Sequence, residues 1–308
     1  MTDVTPPTIS ADKTIGEAFA AAAAANRVVA VVGTDGRVLG TVTDGDVRRA
    51  VAAGTSLEVP VTDILRREAE IAPPPSNPPV GVLMVGGRGE RLRPLTDKVP
   101  KPLLRVGGAT IVERLVESFR NAGVDEVYLT VNYLAEQFED RLGNGESVGV
   151  QLHYVREEQA MDTAGSLSLL PDMGRPLLVS NGDLVTTVDF GAMLDFHRSQ
   201  RAAITVAGVD YAAKVPYGVL RTADHHLLHI EEKPTTHQLV NAGMYVLSPE
   251  VLRYVPGDKP YKMTELIDDV LHDGLNVCVF PVLERWSDIG SKEEFERVLF
   301  EFAVEEGS

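Results

Sequence analysis

A proline-rich segment divides this chain into two parts. Residues 73–79 read Pro-Pro-Pro-Ser-Asn-Pro-Pro. No helix or central strand can pass through such a segment, because proline fixes φ and lacks a backbone N–H. It favours an extended polyproline II linker. We therefore predict a small folding unit at residues 1–72, a linker at 73–79 and a large unit at 80–308.

The large unit alternates apolar strands with helical segments. Strand patterns occur at 80–85, 126–132, 151–155, 176–179 and 203–209, and helical patterns at 110–122, 134–141 and 190–198. This alternation predicts an α/β fold with a mostly parallel, Rossmann-like doubly wound sheet and helices on both faces. Ligands bind such sheets at the carboxyl ends of the strands. Motifs that directly follow strands are therefore the first candidates for function.

The small unit has a mixed α+β pattern. Helical residues at 13–25 and 46–53 flank two β-rich runs at 27–32 and 38–42, which a turn at 34–37 separates. A unit of this length buries too little apolar surface to be robust alone. We therefore expect it to dock on another part of the protein.

Charge and composition exclude several classes of partner. The formal net charge of −16 argues against a nucleic-acid partner, although local lysines and arginines can still bind a small anionic substrate. We find no run that is long and apolar enough to span a bilayer, and expect no membrane association. Cys278 is the only cysteine, which is typical of a reducing, cytoplasmic environment.

A glycine-rich loop follows the first strand of the large unit. Residues 86–96 read Gly-Gly-Arg-Gly-Glu-Arg-Leu-Arg-Pro-Leu-Thr, and Pro-Lys-Pro follows at 100–102. Glycines let backbone N–H groups approach phosphate oxygens, and Arg91 and Lys101 bring positive charge. Pro94 opposes the helix that a dinucleotide site needs here, and a Walker loop is absent. The loop predicts a nucleotide phosphate site.

This run, with Pro-Lys-Pro after it, resembles the signature of sugar-phosphate nucleotidyltransferases. The resemblance extends from about Val80 to Ile289. It implies that the loop glycines and Arg91 bind the triphosphate of a nucleotide, and that Lys101 supports the phosphate that is transferred. The implied loop residues are Gly86, Gly87, Gly89 and Arg91.

Two aspartates are candidates for holding Mg²⁺. Asp183 follows the strand at 176–179, and Mg²⁺ is typically held by one or two carboxylates together with substrate phosphates. The run Trp-Ser-Asp-Ile-Gly at 286–290 resembles the family's Trp-x-Asp-x-Gly, which makes Asp288 the second ligand. Either aspartate alone would fit a turn or a helix cap equally well. Mg²⁺ is the one cofactor that we expect.

Three later motifs resemble the family's sugar-binding segments. They are Glu-Glu-Lys-Pro at 231–234, Asn-Ala-Gly at 241–243 and Tyr-Gly-Val at 217–219. The resemblance implies that Glu232 and Asn241 contact sugar hydroxyls, that Gly218 offers a backbone amide, and that Lys233 holds the sugar phosphate. Arg91, Lys101 and Lys233 are then the catalytic candidates.

The loop at 156–166 is expected to select the base. It lacks the Gln-Pro and Gly-Leu-Ala of the thymidylyl and uridylyl branch, and Thr163, Ala164 and Gly165 resemble the mannose-1-phosphate guanylyltransferase-like branch. Met161-Asp162 stands where related sequences often have Leu-Gly. We expect GTP, with thymidylyl, uridylyl or cytidylyl transfer as the alternative.

The resemblance as a whole implies an enzyme of class EC 2.7.7. It would transfer a nucleoside monophosphate from a nucleoside triphosphate to a sugar 1-phosphate for glycan or sugar-derivative biosynthesis. A glycosyltransferase with a similar sheet would show Asp-x-Asp, and Asn181-Gly182-Asp183 lacks the first acid. A catalytically silent, nucleotide-sensing protein would be expected to have lost part of the catalytic set, which is intact. That set is Arg91, Lys101, Asp183, Lys233 and Asp288.

The small unit carries one motif of its own. Residues 40–46, Gly-Thr-Val-Thr-Asp-Gly-Asp, resemble a CBS motif, which in pairs binds adenine nucleotides. The resemblance implies that Thr43 and Asp46 contact a ribose. Only one motif is present where two normally pack together, so both a scaffold and a sensor role remain open. We expect a homo-oligomer formed through this unit.

Overall fold

The computed structural model describes residues 7–23, 28–34, 36–65, 77–257 and 259–306. Most of the predicted linker, residues 73–76, lies outside them, so the predicted unit boundaries stay predictions. We call the described residues up to 65 the N-terminal module.

The N-terminal module is a three-stranded sheet with two helices. Its elements are β1 (Thr8–Ser10), α1 (Ile15–Ala23), β2 (Val28–Val32), β3 (Val38–Thr43) and α2 (Asp44–Ala52). β2 pairs in parallel with β1 and antiparallel with β3. A small core of buried residues, including Ile15, Val31 and Val47, holds these elements together.

The large unit contains thirteen strands and six α-helices within the described residues. The strands are β4 (Val80–Met84), β5 (Arg105–Val106), β6 (Ala109–Thr110), β7 (Glu126–Val131), β8 (Gln151–Arg156), β9 (Leu177–Asn181), β10 (Leu184–Thr186), β11 (Ile204–Lys214), β12 (Val219–Ala223), β13 (His226–Glu231), β14 (Thr235–Leu247), β15 (Val277–Val282) and β16 (Trp286–Asp288). The helices are α3 (Ile111–Asn121), α4 (Ala135–Leu142), α5 (Asp162–Gly165), α6 (Phe190–Gln200), α7 (Met263–His272) and α8 (Lys292–Glu306).

Seven strands form the central sheet, in the order β15-β11-β14-β9-β4-β7-β8. All neighbours are parallel except at β14, which runs antiparallel to β11 and β9. Alternate residues of β4 enter different cores: Leu83 packs with α3 and α6, and Val80 and Val82 pack with α7. The predicted doubly wound α/β sheet is confirmed.

Two strands leave the sheet and form an exposed arm. β11 and β14 have 11 and 13 residues, and they stay paired beyond Val209, where the pairing of β11 with β15 stops. The hairpin β12–β13 lies between them in the chain. We call residues 210–240 the arm; most of its side chains are exposed.

The N-terminal module docks on the large unit, as expected for a unit of this size. Helix α2 contacts β15 and α6, and Leu283 packs against the core of the module. No helix in the described part of the chain is both long and apolar enough to cross a membrane.

Candidate active site

The glycine-rich loop leaves β4 at the carboxyl edge of the sheet and folds back on itself. Gly89 has a φ of +61°, and a Cβ there would lie 3.0 Å from the Thr96 side chain. The Thr96 hydroxyl donates a hydrogen bond of 2.7 Å to the Gly89 carbonyl. Glycine is therefore strongly favoured at this position, since other residues rarely adopt such a φ. Gly87 faces open space, and Arg91 is exposed.

The two candidate metal aspartates lie side by side. Asp183 directly precedes β10 and Asp288 ends β16, and the antiparallel register places Leu184 opposite Asp288. The Ile289 amide donates to the Asp183 carbonyl at 3.3 Å. These contacts bring together two residues that are far apart in the sequence.

Lys101 lies between the two carboxylates. Its Nζ is 2.6 Å from Oδ2 of Asp183 and 3.7 Å from Oδ1 of Asp288. The residue is only 7% exposed, so its ammonium group is fixed by packing as well as by charge. Lys101 therefore joins the glycine-rich loop to the carboxylate pair.

The carboxylates suit a hard divalent cation. Burial and the charge of Asp183 raise the pKa of Asp288, and Oδ1 of Asp288 is buried with no hydrogen-bond partner. Within the described ranges, no group of three or more His, Cys, Asp or Glu side chains is placed to hold a metal. Two carboxylates fit Mg²⁺ if substrate phosphates supply further ligands.

Two cavities lie beside this pair of aspartates. The larger, of about 340 Å³, is lined by the glycine-rich loop, Arg91, Lys101 and Asp183. The smaller, of about 210 Å³, is lined by Asn241, Gly243, Trp286 and Asp288 among others. Each cavity thus contains one of the two carboxylates.

The wall of the smaller cavity is closely packed. The Asn241 side-chain oxygen accepts from the Gly243 amide at 2.9 Å, and Trp286 Nε1 donates to the Ala242 carbonyl at 2.9 Å. Gly243 has a φ of +73°, and a Cβ there would lie 2.5 Å from the Asn181 side chain. Only glycine fits at this position.

The remaining sugar-site candidates lie on the arm. Glu232 and Lys233 are exposed, and Lys233 Nζ is 3.9 Å from Oε1 of Glu232. A Cβ on Gly218 would lie 3.1 Å from the Glu232 carboxylate. The structure therefore brings these three residues together, although none of them is among those that line the two cavities.

The loop at 156–166, which is predicted to select the base, forms hydrogen bonds to the segment at the start of α7. The Thr163 hydroxyl accepts from the Met263 amide at 2.8 Å, and the amides of Ala164 and Gly165 donate to the Tyr261 carbonyl at 2.8 and 2.9 Å. These bonds fix the loop against the start of α7. Direct contact of these three residues with a nucleotide stays a prediction.

Glu157 lies in the loop at 156–166 that is predicted to select the base, but the sequence analysis did not single it out as a site residue. It directly follows β8, and its Oε2 accepts from the Met161 amide at 3.2 Å. Its Oε1 lies 3.4 Å from the position of a Cβ on Gly86, which places the carboxylate beside the glycine-rich loop. Burial raises the pKa of Glu157. The available signal was an acidic residue directly after a strand.

Thr43 and Asp46 are engaged within the N-terminal module. The Thr43 side chain accepts from the Asp46 amide, and the Asp46 carboxylate accepts from the Thr43 amide at 2.9 Å and from the Thr43 hydroxyl at 2.6 Å. Arg49 pairs with the same carboxylate. This capping box stabilises the start of α2 and favours the scaffold interpretation. Ribose binding stays a prediction.

The fold and the site together define a class of protein. The sheet is doubly wound, and its carboxyl edge carries a glycine-rich loop, a buried lysine and paired carboxylates. This combination is typical of α/β enzymes that bind phosphate groups. Residues 80–303 match the family model described as nucleotidyl transferase, and residues 1–53 match the CBS domain model. The chain belongs to the nucleotidyl transferase family.

Individual relatives agree with this family. The mannose-1-phosphate guanylyltransferase of Mycobacterium tuberculosis is 33% identical over 224 residues, which are 70% of this chain and 62% of the relative. The mannose-1-phosphate guanyltransferase of Saccharomyces cerevisiae is 32% identical over 225 residues, again 70% of this chain and 62% of the relative. The chain therefore matches less than two thirds of the length of these relatives.

A solved structure supports the fold. A putative glucose-1-phosphate thymidylyltransferase from Bacillus anthracis superimposes with a TM-score of 0.59 at 22% identity, over 72% of this chain and 94% of that one.

Proposed function

We propose that this protein transfers GMP from GTP to a sugar 1-phosphate and releases pyrophosphate, with mannose 1-phosphate as the first acceptor to test. The observation that carries the proposal is that each of two cavities is lined by one member of the neighbouring carboxylate pair, Asp183 in the larger and Asp288 in the smaller. One cavity contains a phosphate-binding loop and positive charge, and the other contains the polar group of Asn241. Such an arrangement suits two substrates that react with each other between the carboxylates.

Asp183 and Asp288 would hold Mg²⁺. When bound, the cation would offset the negative charge of the phosphates. The raised pKa of Asp288, and the lack of a hydrogen-bond partner for its buried Oδ1, support this assignment. A cation at that oxygen would offset the cost of burying the charged carboxylate and its repulsion from Asp183.

The reaction needs orientation and positive charge rather than a general base. An oxygen of the sugar phosphate forms a bond to the α-phosphorus of GTP, and the bond from that phosphorus to the oxygen bridging to the β-phosphate breaks. The electron pair leaves with pyrophosphate. A phosphate monoester with a second pKa of about 6 is already largely dianionic at neutral pH, so no proton must be removed.

Three cationic side chains would act in this step. Lys101 and Arg91, which line the larger cavity, would offset the charge that develops on the α-phosphate and on pyrophosphate. Lys233 would bind the sugar phosphate after the arm approaches the smaller cavity.

The choice of guanine is supported by Glu157 and by the names of the relatives. A carboxylate can accept from both the ring N–H and the exocyclic amino group of guanine, whereas uracil and thymine offer one ring N–H. Glu157 lies beside Gly86, at the end of the larger cavity's loop.

The test is pyrophosphate release measured with each common nucleoside triphosphate against a panel of sugar 1-phosphates. We expect GTP with mannose 1-phosphate to give the highest kcat/KM, and Asp183→Asn to lower it at least about 100-fold. A preference for UTP or dTTP of tenfold or more would overturn the assignment of guanine. No release in any combination would support the silent, nucleotide-sensing alternative.

Two further expectations concern the setting of the enzyme. We propose that it works in the cytoplasm, where nucleoside triphosphates are available. We also propose a homo-oligomer formed through the N-terminal module. Sedimentation analysis tests this, and a monomer at micromolar concentration would contradict it.

A further inference from the structure

Arg48 is a charged residue that the proposed reaction does not use, and it is completely buried. It lies in α2 of the N-terminal module with 0% exposure. Its Nε donates to Oδ2 of Asp44 at 2.8 Å, within the same helix. Burying an arginine is unfavourable unless its donors are satisfied. The other partners of Arg48 therefore indicate what this residue does.

The remaining donors of Arg48 cross to the large unit. Nη2 donates to Oε1 of Glu284 at 2.6 Å and Nη1 donates to Oε2 at 3.2 Å, which is a two-point pairing of guanidinium and carboxylate. Nη1 also donates to the Pro281 carbonyl at 2.5 Å. The guanidinium carbon lies 4.0 Å from the centre of the Phe280 ring and 5.1 Å from that of Phe19. Arg48 thus joins the two units with fixed geometry.

Glu284 links Arg48 to the segment that follows β10. It lies between β15 and β16, and its Oε1 also accepts from the Asp189 amide, at 3.4 Å, just beyond the end of β10. Nearby, the Arg285 carbonyl accepts from the Thr187 amide at 3.0 Å and from the Thr186 hydroxyl at 2.8 Å. Through its bond to the Asp189 amide, and through the contacts of the adjacent Arg285, Glu284 is attached to one end of the two-stranded ribbon β10–β16.

The other end of this ribbon carries the carboxylate pair. The ribbon consists of three residue pairs, from Thr186–Trp286 at the Glu284 end to Leu184–Asp288 at the metal end. Asp183 directly precedes it. Because the ribbon is so short, a change at the Glu284 end is expected to alter the separation of Asp183 and Asp288.

We propose that Arg48 is a positioning residue for the carboxylate pair, and that the N-terminal module is in this way a working part of the active site. The proposal rests on the proposed function for its link to catalysis. The link from Arg48 to the ribbon can be tested separately from it.

The test compares Arg48→Met and Glu284→Gln with Arg49→Met in the full-length protein. Methionine fills much of the same volume between the two phenylalanine rings without charge. Glu284→Gln is the milder variant, because it leaves Arg48 paired with Asp44 and Pro281. Arg49→Met is the control, since Arg49 is the adjacent arginine and its pairing with Asp46 stays within α2.

Three measurements are made on each variant. Hydrogen–deuterium exchange at residues 184–188 and 284–288 reports on the ribbon, and electron paramagnetic resonance reports on binding of Mn²⁺ alone. Steady-state kinetics give the Mg²⁺ concentration for half-maximal velocity. For Arg48→Met we expect hydrogen exchange in the ribbon to be at least about tenfold faster. The Kd for Mn²⁺ and the Mg²⁺ concentration for half-maximal velocity should each rise about tenfold. The KM values for both substrates should change less than threefold, and Arg49→Met should resemble the wild type.

The outcomes separate the possible roles of Arg48. Wild-type exchange and Mn²⁺ binding in Arg48→Met, with only a lower unfolding temperature, would overturn the proposal and leave Arg48 as an attachment. If Arg48→Met does not fold, Glu284→Gln takes its place, and wild-type exchange and Mn²⁺ binding in that variant would overturn the proposal. If the wild type releases no pyrophosphate, the proposed function fails, while exchange and Mn²⁺ binding still test the positioning role.

Discussion

The two lysines that are proposed to bind phosphate groups lie in very different surroundings. Lys101 is 7% exposed and is ion-paired with Asp183 at 2.6 Å. The side chain of Lys233 is 58% exposed, and the ion pair found for it is with Glu232, at 3.9 Å. The proposed triphosphate site is therefore preformed within the sheet, whereas the proposed site for the sugar phosphate depends on an exposed arm. We infer that the nucleoside triphosphate binds to a rigid site, and that binding of the sugar phosphate requires movement of the arm.

Lys101→Met should have the largest effect. It removes the cation between two adjacent carboxylates in the preformed half, and we expect kcat/KM to fall by about 10³-fold. Lys98→Met is the matched control, because Lys98 is an exposed lysine in the same loop. Pyrophosphate release measures both. A loss of less than tenfold in Lys101→Met would show that the buried lysine is structural only.

Lys233→Met should have a smaller and more selective effect. Loss of one charge-assisted contact in the arm should raise the KM for the sugar 1-phosphate about 10- to 100-fold and leave the KM for GTP unchanged. Thermal stability should not change, since the side chain is exposed. Lys214→Met, another exposed lysine of the arm, is the control. Equal effects on both KM values would contradict the division into two halves.

Gly243→Ala tests the closely packed wall of the smaller cavity, where the sugar is proposed to bind. The added Cβ would lie 2.5 Å from Asn181, at a φ of +73°. We expect a destabilisation of about 2 kcal/mol in urea unfolding and a several-fold higher KM for the sugar 1-phosphate. Gly257→Ala, with open space around its Cβ, should leave both unchanged. Equal stability and equal KM in the two variants would mean that the side chain of Asn181 moves aside and the wall of the cavity accommodates the added methyl group.

The pH dependence should be the smallest effect near neutral pH. Burial and Asp183 raise the pKa of Asp288, so Asp288 takes up a proton, and loses affinity for a cation, at a higher pH than an ordinary carboxylate. In the metal-free protein, the same protonation increases the stability of the fold, whereas it weakens binding of a cation. The folded state binds this proton more tightly than the unfolded state, so stability rises as pH falls through the raised pKa. Asp288→Asn should abolish this gain, which is measured by thermal unfolding as the pH is lowered from neutral towards the ordinary range of a carboxylate pKa. An identical profile in wild type and variant would contradict it.

The structure brings together three residues that the sequence identified separately, Lys101, Asp183 and Asp288, and their roles stay predictions. The sheet positions follow from local apolar patterns, and Lys101, Asp183 and Asp288 were identified because their motifs are short and directly follow strands or resemble a known signature. The register that pairs Leu184 with Asp288 was not predicted, since it depends on contacts between distant segments.

Sequence reasoning was weakest for residues whose role depends on a distant partner. Arg48 occurs in Val47-Arg48-Arg49-Ala50 and looks like an ordinary surface residue of a helix; its partner Glu284 is separated from it by 236 residues. Thr43 and Asp46 matched a ligand-binding motif, although in the structure they cap α2. The arm could not be anticipated either, because no local pattern tells how far β11 and β14 extend beyond the sheet.

The short ribbon β10–β16 has a consequence for how the enzyme is made. Asp183 and its half of the glycine-rich cleft are synthesised well before Asp288, whose position depends on pairing with residues 184–186. A ribosome-bound chain that has not reached residue 288 therefore carries one carboxylate without the other. The proposed metal site would therefore be completed late in translation, and incomplete chains are not expected to consume nucleotide.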